Sequence, residues 1–181
     1  MNVQHLSVLD LIDSVEVNKR ASILPPSDDE FDNVVVTEPQ VAATQAQISS
    51  MYVKEILKFR KSFLKRIKHE VEGQRADWER FVAIKADAQD ATSMYPRMHS
   101  RATLLLDRHY NSLLPYRKGE CNVYAVLRDG TCAIRYVEVA GNHLILRPHN
   151  AASRVEVLMI EQGLKPSDYL VGRVCHVGSE I

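Results

Sequence analysis

Short hydrophobic runs, rich in β-branched and aromatic residues, recur through residues 78–181 and predict a β-rich region. Turn signals separate the runs at intervals of about 8–12 residues, which favours a barrel or a sandwich over a parallel sheet. Residues 122–148 predict a meander of three antiparallel strands, with turns at Asp129-Gly130 and Gly141-Asn142. The runs are FVAIKA, TLLLDR, NVYAVL, CAIRYVEV, HLILRP, RVEVLMI and YLVGRVCHV.

A different periodicity marks residues 46–72. Apolar side chains return there at steps of three and four residues, as on one face of a helix, and basic side chains occupy the other faces. Gly73 provides a helix stop. We therefore predict a basic amphipathic helix over 46–72, with an apolar stripe formed by Val53, Ile56, Leu57, Phe63, Leu64, Ile67 and Val71.

Residues 1–45 have a third character. Leu6, Leu9, Ile12 and Val15 are spaced like one face of a short helix. The segment that follows, ILPPSDDEFDNVVVTEP, is acidic and bounded by prolines, which is typical of a linker. We predict an acidic, partly disordered arm that contains one short helix.

The charge of the chain is divided in the same way. The 181 residues include 23 basic and 23 acidic side chains, so the formal net charge is zero. Residues 1–50, however, carry two basic and eight acidic side chains, whereas residues 51–70 carry seven basic and two acidic ones. The basic segment could bind DNA phosphates, or the acidic arm could lie on it and mask it. The candidate DNA contacts are Lys54, Lys58, Lys61, Lys65, Arg66 and Lys68.

Several classes of protein are excluded by simple features. No apolar run is long enough to span a bilayer, and the N-terminus lacks the basic region of a secretory signal. Cys121, Cys132 and Cys175 are odd in number and far apart, as in a cytoplasmic protein with reduced thiols. No spacing of histidine, cysteine or acidic residues predicts a metal site, and nothing indicates a small-molecule cofactor.

The stretch TSMYPRMHSRATLLLD contains a candidate catalytic motif. Ser93 and Met94 are followed by Pro96 and Met98, and a hydrophobic strand ends at Asp107. This order resembles the C-terminal domain of LexA and the phage repressors, the self-cleaving Ser–Lys peptidases related to signal peptidase. The resemblance covers about residues 78–181. It implies a β-barrel-type domain, a homodimer, and Ser93 at the nucleophile position.

Three departures from the family pattern bear on activity. The family Gly-Asp pair is replaced by Arg101-Ala102, which implies a different local backbone. Arg135 stands at the position of the family lysine, and an arginine stays protonated, so it cannot take the serine proton. Arg135 would instead be an ordinary strand arginine that pairs with Glu138 or with a carboxylate across the sheet. No Ala-Gly or Cys-Gly bond, the family's cleavage site, precedes Ser93.

The sequence therefore predicts a mainly β domain over 78–181, a basic helix over 46–72 and an acidic arm over 1–45. The predicted function is that of a non-catalytic, transcription-regulator-type protein whose domain serves dimerisation or partner binding. Two alternatives stay open. One is an active self-cleaving serine peptidase that uses Ser93 with another base, such as His99 or His109. The other is an interaction domain with no role in nucleic-acid binding.

Overall fold

A computed structural model describes residues 28–69, 75–128 and 130–179 of the protein. The short predicted helix around Leu6 to Val15 lies outside these residues. Within them, three α-helices are present: α1 (Pro39–Thr44), α2 (Lys61–Ile67) and α3 (Ala88–Met94). The nine strands of the described ranges are β1 (Phe31–Val36), β2 (Glu55–Arg60), β3 (Phe81–Lys85), β4 (Thr103–Asp107), β5 (Val123–Arg128), β6 (Thr131–Ala140), β7 (His143–Arg147), β8 (Glu156–Met159) and β9 (Leu170–Gly178). Single turns of 3-10 helix occur at Ser50–Tyr52 and Pro166–Tyr169.

All of these strands belong to one mixed sheet, in the order β2-β1-β3-β4-β9-β5-β6-β7-β8. Only β1 and β3 pair in parallel in the part of the chain that the structure describes. There, β2 and β8 each have a single neighbouring strand, so the sheet is not closed. The prediction of a mainly β fold is confirmed, whereas the closure expected of a barrel is absent from these residues.

The sheet is nevertheless strongly curved. Helix α1 contacts both β3 and β6, which are separated in the sheet by three other strands. In a flat sheet, two such strands would lie about 19 Å apart, which is beyond the reach of a single helix about 10–12 Å wide. Register shifts between Leu105 and Leu106 and between Ala125 and Val126, both on strands that pair with β9, provide local bends.

The hydrophobic core occupies both faces of the sheet, as alternation along the strands requires. On the concave face, Val82 and Ile84 of β3 join a cluster that includes Ala42 of α1 and Met94 of α3. On the opposite face, Ala83 packs with Val34, Val36 and Leu105 beneath Leu64 of α2. A third cluster, at the other end of the sheet, comprises Tyr110, Tyr124, Val126, Leu144, Leu146 and Leu170.

The predicted meander is present as β5, β6 and β7. The pairs Arg128↔Thr131 and Ala140↔His143 close its two hairpins, so each turn has two residues. Gly141 has a φ of 60°, a left-handed conformation that a turn glycine adopts without steric cost. The pattern of turn signals therefore located this part of the sheet correctly.

The prediction of a single helix over 46–72 is wrong. Residues Glu55–Arg60 form strand β2, and only Lys61–Ile67 are α-helical in the described part of this segment. Strand β2 pairs with β1 along its whole length, which exposes Lys58 and half-buries Leu57 and Phe59. The mixed spacing of the apolar residues is compatible with a helix or with a strand. Residues 55–60 form a strand because β1 provides hydrogen-bond partners for their backbone.

That partner strand also corrects the prediction for residues 1–45. The VVV run of the acidic segment forms the end of β1, where Val34 and Val36 are buried and Val36 pairs with Ala83 of β3. Helix α1 follows immediately and buries Ala42 and Ala43. Residues 31–44 are thus part of the same sheet and core as the strands after residue 78.

A buried arginine holds the end of α1. The Arg108 side chain is fully buried, and its Nε donates to the carbonyl of Glu79 at 2.7 Å. Nη1 donates to the carbonyls of Ala42 at 3.1 Å and Gln45 at 2.6 Å, and Nη2 donates to that of Ala46 at 2.9 Å. These bonds satisfy carbonyls that a helix end leaves without partners. Burial lowers the pKa of Arg108 to about 10, which leaves it charged at neutral pH.

The neighbouring residue, Asp107, makes a second buried contact at the end of β4. Its carboxylate accepts hydrogen bonds from Nε and Nη2 of Arg80 at 2.9 and 2.8 Å. Strand β9 crosses here so closely that a Cβ on Gly172 would lie 2.7 Å from the Asp107 carbonyl oxygen and 3.0 Å from Cα of Arg108. Position 172 is therefore restricted to glycine by backbone packing.

Replacement of Gly172 by alanine should destabilise the protein. The added methyl group overlaps backbone atoms that are held by the Arg108 and Arg80 hydrogen bonds, so we expect the free energy of unfolding to fall by about 1–3 kcal/mol. Urea denaturation followed by circular dichroism measures the change. Gly178→Ala is the matched control, because its Cβ would find its nearest neighbours at 3.9 Å. Equal stability of the two variants would contradict this account.

Candidate functional site

Ser93 lies in the last turn of α3 and is buried. The helix starts at a cap in which the Asp87 carboxylate accepts from the Asp90 amide at 2.6 Å. At its other end, Asn150 donates through its backbone amide to the Ser93 carbonyl at 2.9 Å and through Nδ2 to the Thr92 carbonyl at 3.1 Å. The Ser93 hydroxyl makes no hydrogen bond within the described ranges. The helix position of Ser93 is thus fixed by its backbone, while its hydroxyl has no basic partner there.

Arg135 lies on β6 and is almost completely buried. Its Nη1 donates to Asp90 Oδ1 at 2.8 Å and to the Ile134 carbonyl at 2.7 Å, and its Nη2 donates to Glu156 Oε1 at 3.2 Å. Glu156 forms a second ion pair with Arg128. One of the two predicted partners is therefore wrong and the other is correct: Arg135 does not pair with Glu138, but it does reach a carboxylate across the sheet.

Asp90 connects the serine helix to the sheet. Strand β7 ends at Arg147, opposite Tyr136, so it does not extend far enough to pair with Ile134. The Asp90 carboxylate accepts the Ile134 amide at 3.1 Å and takes the place of the missing strand. Asp90 and Ser93 are three residues apart on α3, so this bond also fixes the turn that carries the serine.

The electrostatics around Arg135 are those of a structural ion pair. The pKa of Asp90 is raised overall, mainly by burial. The Ile134 hydrogen bond and the Arg135 charge oppose this shift but do not cancel it. Burial, with Asp90 nearby, raises the pKa of the Cys132 thiol to about 12, and burial likewise raises that of Cys175 to about 12. Neither thiol is therefore a nucleophile at neutral pH.

The two candidate histidine bases have other partners in the structure. Nε2 of His109 is hydrogen-bonded to the Trp78 carbonyl at 2.7 Å. The His99 ring is exposed and meets the Tyr95 ring edge-on, with 5.9 Å between centroids. Within the described ranges, neither histidine hydrogen-bonds to Ser93.

Arg101 has a backbone conformation that is uncommon for a residue with a side chain. Its φ is 62°, in the left-handed region that favours glycine. The hydrogen bond from its amide to the Ala86 carbonyl, at 3.2 Å, ties this turn to the end of β3.

The six candidate DNA contacts do not share one helix face. Lys54 pairs with Glu38, and Lys58 and Lys61 lie 3.9 Å from Asp28 and Asp32, so acidic residues of the predicted arm contact three of them. Lys65 and Arg66 lie in the last turn of α2, and Lys68 follows it. These last three have no carboxylate partner in the part of the chain that the structure describes, and all three are exposed.

The outer edge of the sheet, which sequence reasoning did not single out, is strand β8. Val157 and Met159 of this strand, and Val155 immediately before it, project from one face and are 59%, 66% and 48% exposed. The amide of Ile160 donates to Asn142, beyond β7, at 2.8 Å, so the even-numbered residues of β8 bond towards β7. The backbone groups of Val155, Val157 and Met159 therefore point away from the sheet. The sequence predicted this strand but not that its apolar face is uncovered.

Several further features were tested for function. Within the described residues, no group of three or more histidine, cysteine or acidic side chains is arranged to hold a metal ion. No helix among the same residues has the length and hydropathy that crossing a membrane requires. The sequence matches no protein-family model and gives no significant match to a curated protein.

The buried ion pair between Asp90 and Arg135 should be essential for stability. Asp90→Ala leaves a buried guanidinium and the Ile134 amide without their shared acceptor, so we expect unfolding to become easier by about 3–5 kcal/mol. Thermal and chemical denaturation measure the loss. Glu138→Ala is the control, because it removes an exposed 2.9 Å pair with Arg147 on a neighbouring part of the sheet and should cost about 0–1 kcal/mol. A small effect of Asp90→Ala would show that the pair is dispensable.

Proposed function

We propose that this protein is a non-catalytic, transcription-regulator-type protein whose β domain acts as a homodimerisation module, as in the LexA and phage-repressor domains that it resembles. The Ser93-Met94 motif and the glycine-like backbone at Arg101 support the resemblance. A cytoplasmic location is proposed with it, because Cys121, Cys132 and Cys175 are all free. The observation that carries the non-catalytic part of the proposal is the fixed position of Arg135 between two carboxylates.

Arg135 is unsuited to the role of the family lysine for two reasons. A guanidinium remains protonated at any pH that the folded protein survives, so it has no lone pair to accept the serine proton. Its donors are also directed at Asp90, Ile134 and Glu156. A lysine in its place would lie between the same two carboxylates, which favour the charged ammonium form.

Incubation at alkaline pH tests the enzymatic alternative directly. We expect the purified protein to keep its full mass, and Ser93 to remain unlabelled by a fluorophosphonate probe, because no base activates the hydroxyl. Arg135→Lys should not restore labelling. Mass spectrometry measures both outcomes. A discrete fragment that disappears in Ser93→Ala would instead support a self-cleaving peptidase.

Dimerisation is assigned to the edge of β8. An open, apolar strand edge is a template for pairing with another strand. Antiparallel pairing of two β8 strands about a two-fold axis at Val157 would place Val155 of one copy opposite Met159 of its partner. The three outward-facing residues of each copy would then form six backbone hydrogen bonds and one continuous apolar row.

The charges at the two ends of this strand suit such a pair. Arg154 precedes the apolar row, Glu161 follows it, and both side chains are exposed without an ion-pair partner in the described ranges. Antiparallel pairing brings the positive start of one strand next to the negative end of the other. A two-fold interface of this kind is self-complementary, which favours a second copy over an unrelated partner.

Cysteine cross-linking tests this dimer and its register. In a Cys121→Ser background, Val157→Cys should give a disulfide-linked dimer, since the two Cα atoms of a hydrogen-bonded pair lie about 5.5 Å apart, within disulfide range. Val155→Cys is the matched control, because its symmetry mate would be about 13 Å away. Non-reducing electrophoresis of the oxidised variants measures the cross-link. A monomer in sedimentation, or equal cross-linking of both variants, would contradict the proposed interface.

Contact with DNA is the least supported part of the proposal. Three of the six candidate lysines and arginines already face acidic residues of the same chain, and these exposed pairs weaken as salt rises. Lys65, Arg66 and Lys68 remain as an exposed basic group beside α2. The pairing of Lys54, Lys58 and Lys61 with acidic residues favours the alternative of an interaction domain without a nucleic-acid role.

A further inference from the structure

A separate cleft lies between the 116–123 loop and the second half of β9. Its volume is about 310 Å³, and neither Ser93 nor Arg135 lines it. The side chains around it that carry a full charge are three arginines and one glutamate: Arg97, Arg117, Arg173 and Glu120. The balance of full charges is therefore positive.

Arg173 is the central feature of this cleft. It is 7% exposed, and its guanidinium carbon lies 4.0 Å from the centroid of the Tyr116 ring and 5.0 Å from that of Tyr110. Nη2 donates to the Ile67 carbonyl at 3.2 Å. The aromatic faces and this one bond hold the guanidinium in a fixed orientation.

The charge of Arg173 has no counter-ion among the described residues. No carboxylate pairs with it in the part of the chain that the structure describes, and its Nε is buried without a hydrogen-bond partner. Nη1 also donates to none of the described residues. Buried charges in folded proteins are normally paired, because an unpaired one loses its hydration without compensation. A buried, pre-oriented and unpaired guanidinium beside a cleft is the arrangement expected where the counter-ion is a ligand.

The other two arginines extend this arrangement to the cleft surface. Arg97 is exposed and has no partner among the described residues, and Arg117 lies 4.0 Å from Glu120, a weak exposed contact. Both can therefore move towards a bound anion. The His176 ring, which lines the cleft, meets the stacked rings of Phe59 and Phe63 edge-on.

We propose that this cleft binds a phosphate group, either as inorganic phosphate or as the phosphate of a small metabolite, with Arg173 as its buried anchor. Guanidinium groups match the geometry of phosphate oxygens through paired N–H donors. The volume is at the small end of ordinary ligand sites and suits a compact phosphate-bearing molecule. This inference is independent of the proposed dimer and of Ser93.

Phosphorus NMR and calorimetric titration test the proposal on the full chain at low ionic strength. We expect inorganic phosphate or ribose 5-phosphate to bind saturably, and Arg97→Gln and Arg117→Gln each to weaken binding by about ten-fold, the effect of one charged hydrogen bond. Arg173→Gln should abolish binding. If that variant does not fold, the two surface variants carry the test. Tighter binding of inorganic phosphate identifies the free ion as the ligand, and tighter binding of the ester identifies a metabolite.

Lys118→Gln is the matched control, because it removes the same charge from the next residue along the chain but does not line the cleft. It should leave the affinity unchanged. Absence of binding, or an equal loss in Lys118→Gln and Arg117→Gln, would overturn the proposal. It would also be overturned if a short DNA duplex bound through these arginines while both small phosphates did not, since the surface would then be a nucleic-acid contact.

Discussion

The buried guanidinium of Arg108 is the interaction on which the shape of the sheet depends. It donates hydrogen bonds to four backbone carbonyls, three at the end of α1 and one at Glu79. These bonds join the first helix to the start of β3 and the end of β4. Without it, the carbonyls of Ala42, Gln45 and Glu79 would lose this donor, whereas that of Ala46 would keep its bond from the Glu79 amide. The cost is comparable to that of several lost hydrogen bonds. Because α1 contacts both β3 and β6, its position also determines how far the sheet curves.

Three arginines of the described residues are buried, and each has a different environment. Carbonyl oxygens surround Arg108, carboxylates hold Arg135, and aromatic faces hold Arg173. All three guanidinium nitrogens of Arg108 donate hydrogen bonds. Arg135 leaves its Nε without a partner, but two carboxylates balance its charge. Arg173 has no carboxylate partner among the described residues and leaves its Nε and Nη1 unused, and this difference separates an arginine with a structural role from one that can bind a ligand.

The sequence predicted the part of the fold that depends on neighbours along the chain. The β5–β7 meander follows from local turn chemistry and could be located by pattern alone. The pairing of β1 with β2 could not be predicted in this way. The Val34–Val36 run lies in an acidic, proline-bounded segment, and the apolar residues of β2 have mixed spacing. The identity of the Arg135 partners was equally hidden, since Asp90 and Glu156 are far from it in sequence and only the packing of α3 and β8 brings them close.

The central position of β9 has a consequence for how the chain is made. This strand joins β4 to β5, so the two halves of the sheet, β1–β4 and β5–β8, meet only through the last strand of the described residues. A ribosome releases that strand after the eight other described strands. Until β9 has emerged, the nascent chain holds two half-sheets with open inner edges, so the whole sheet assembles only once β9 is available.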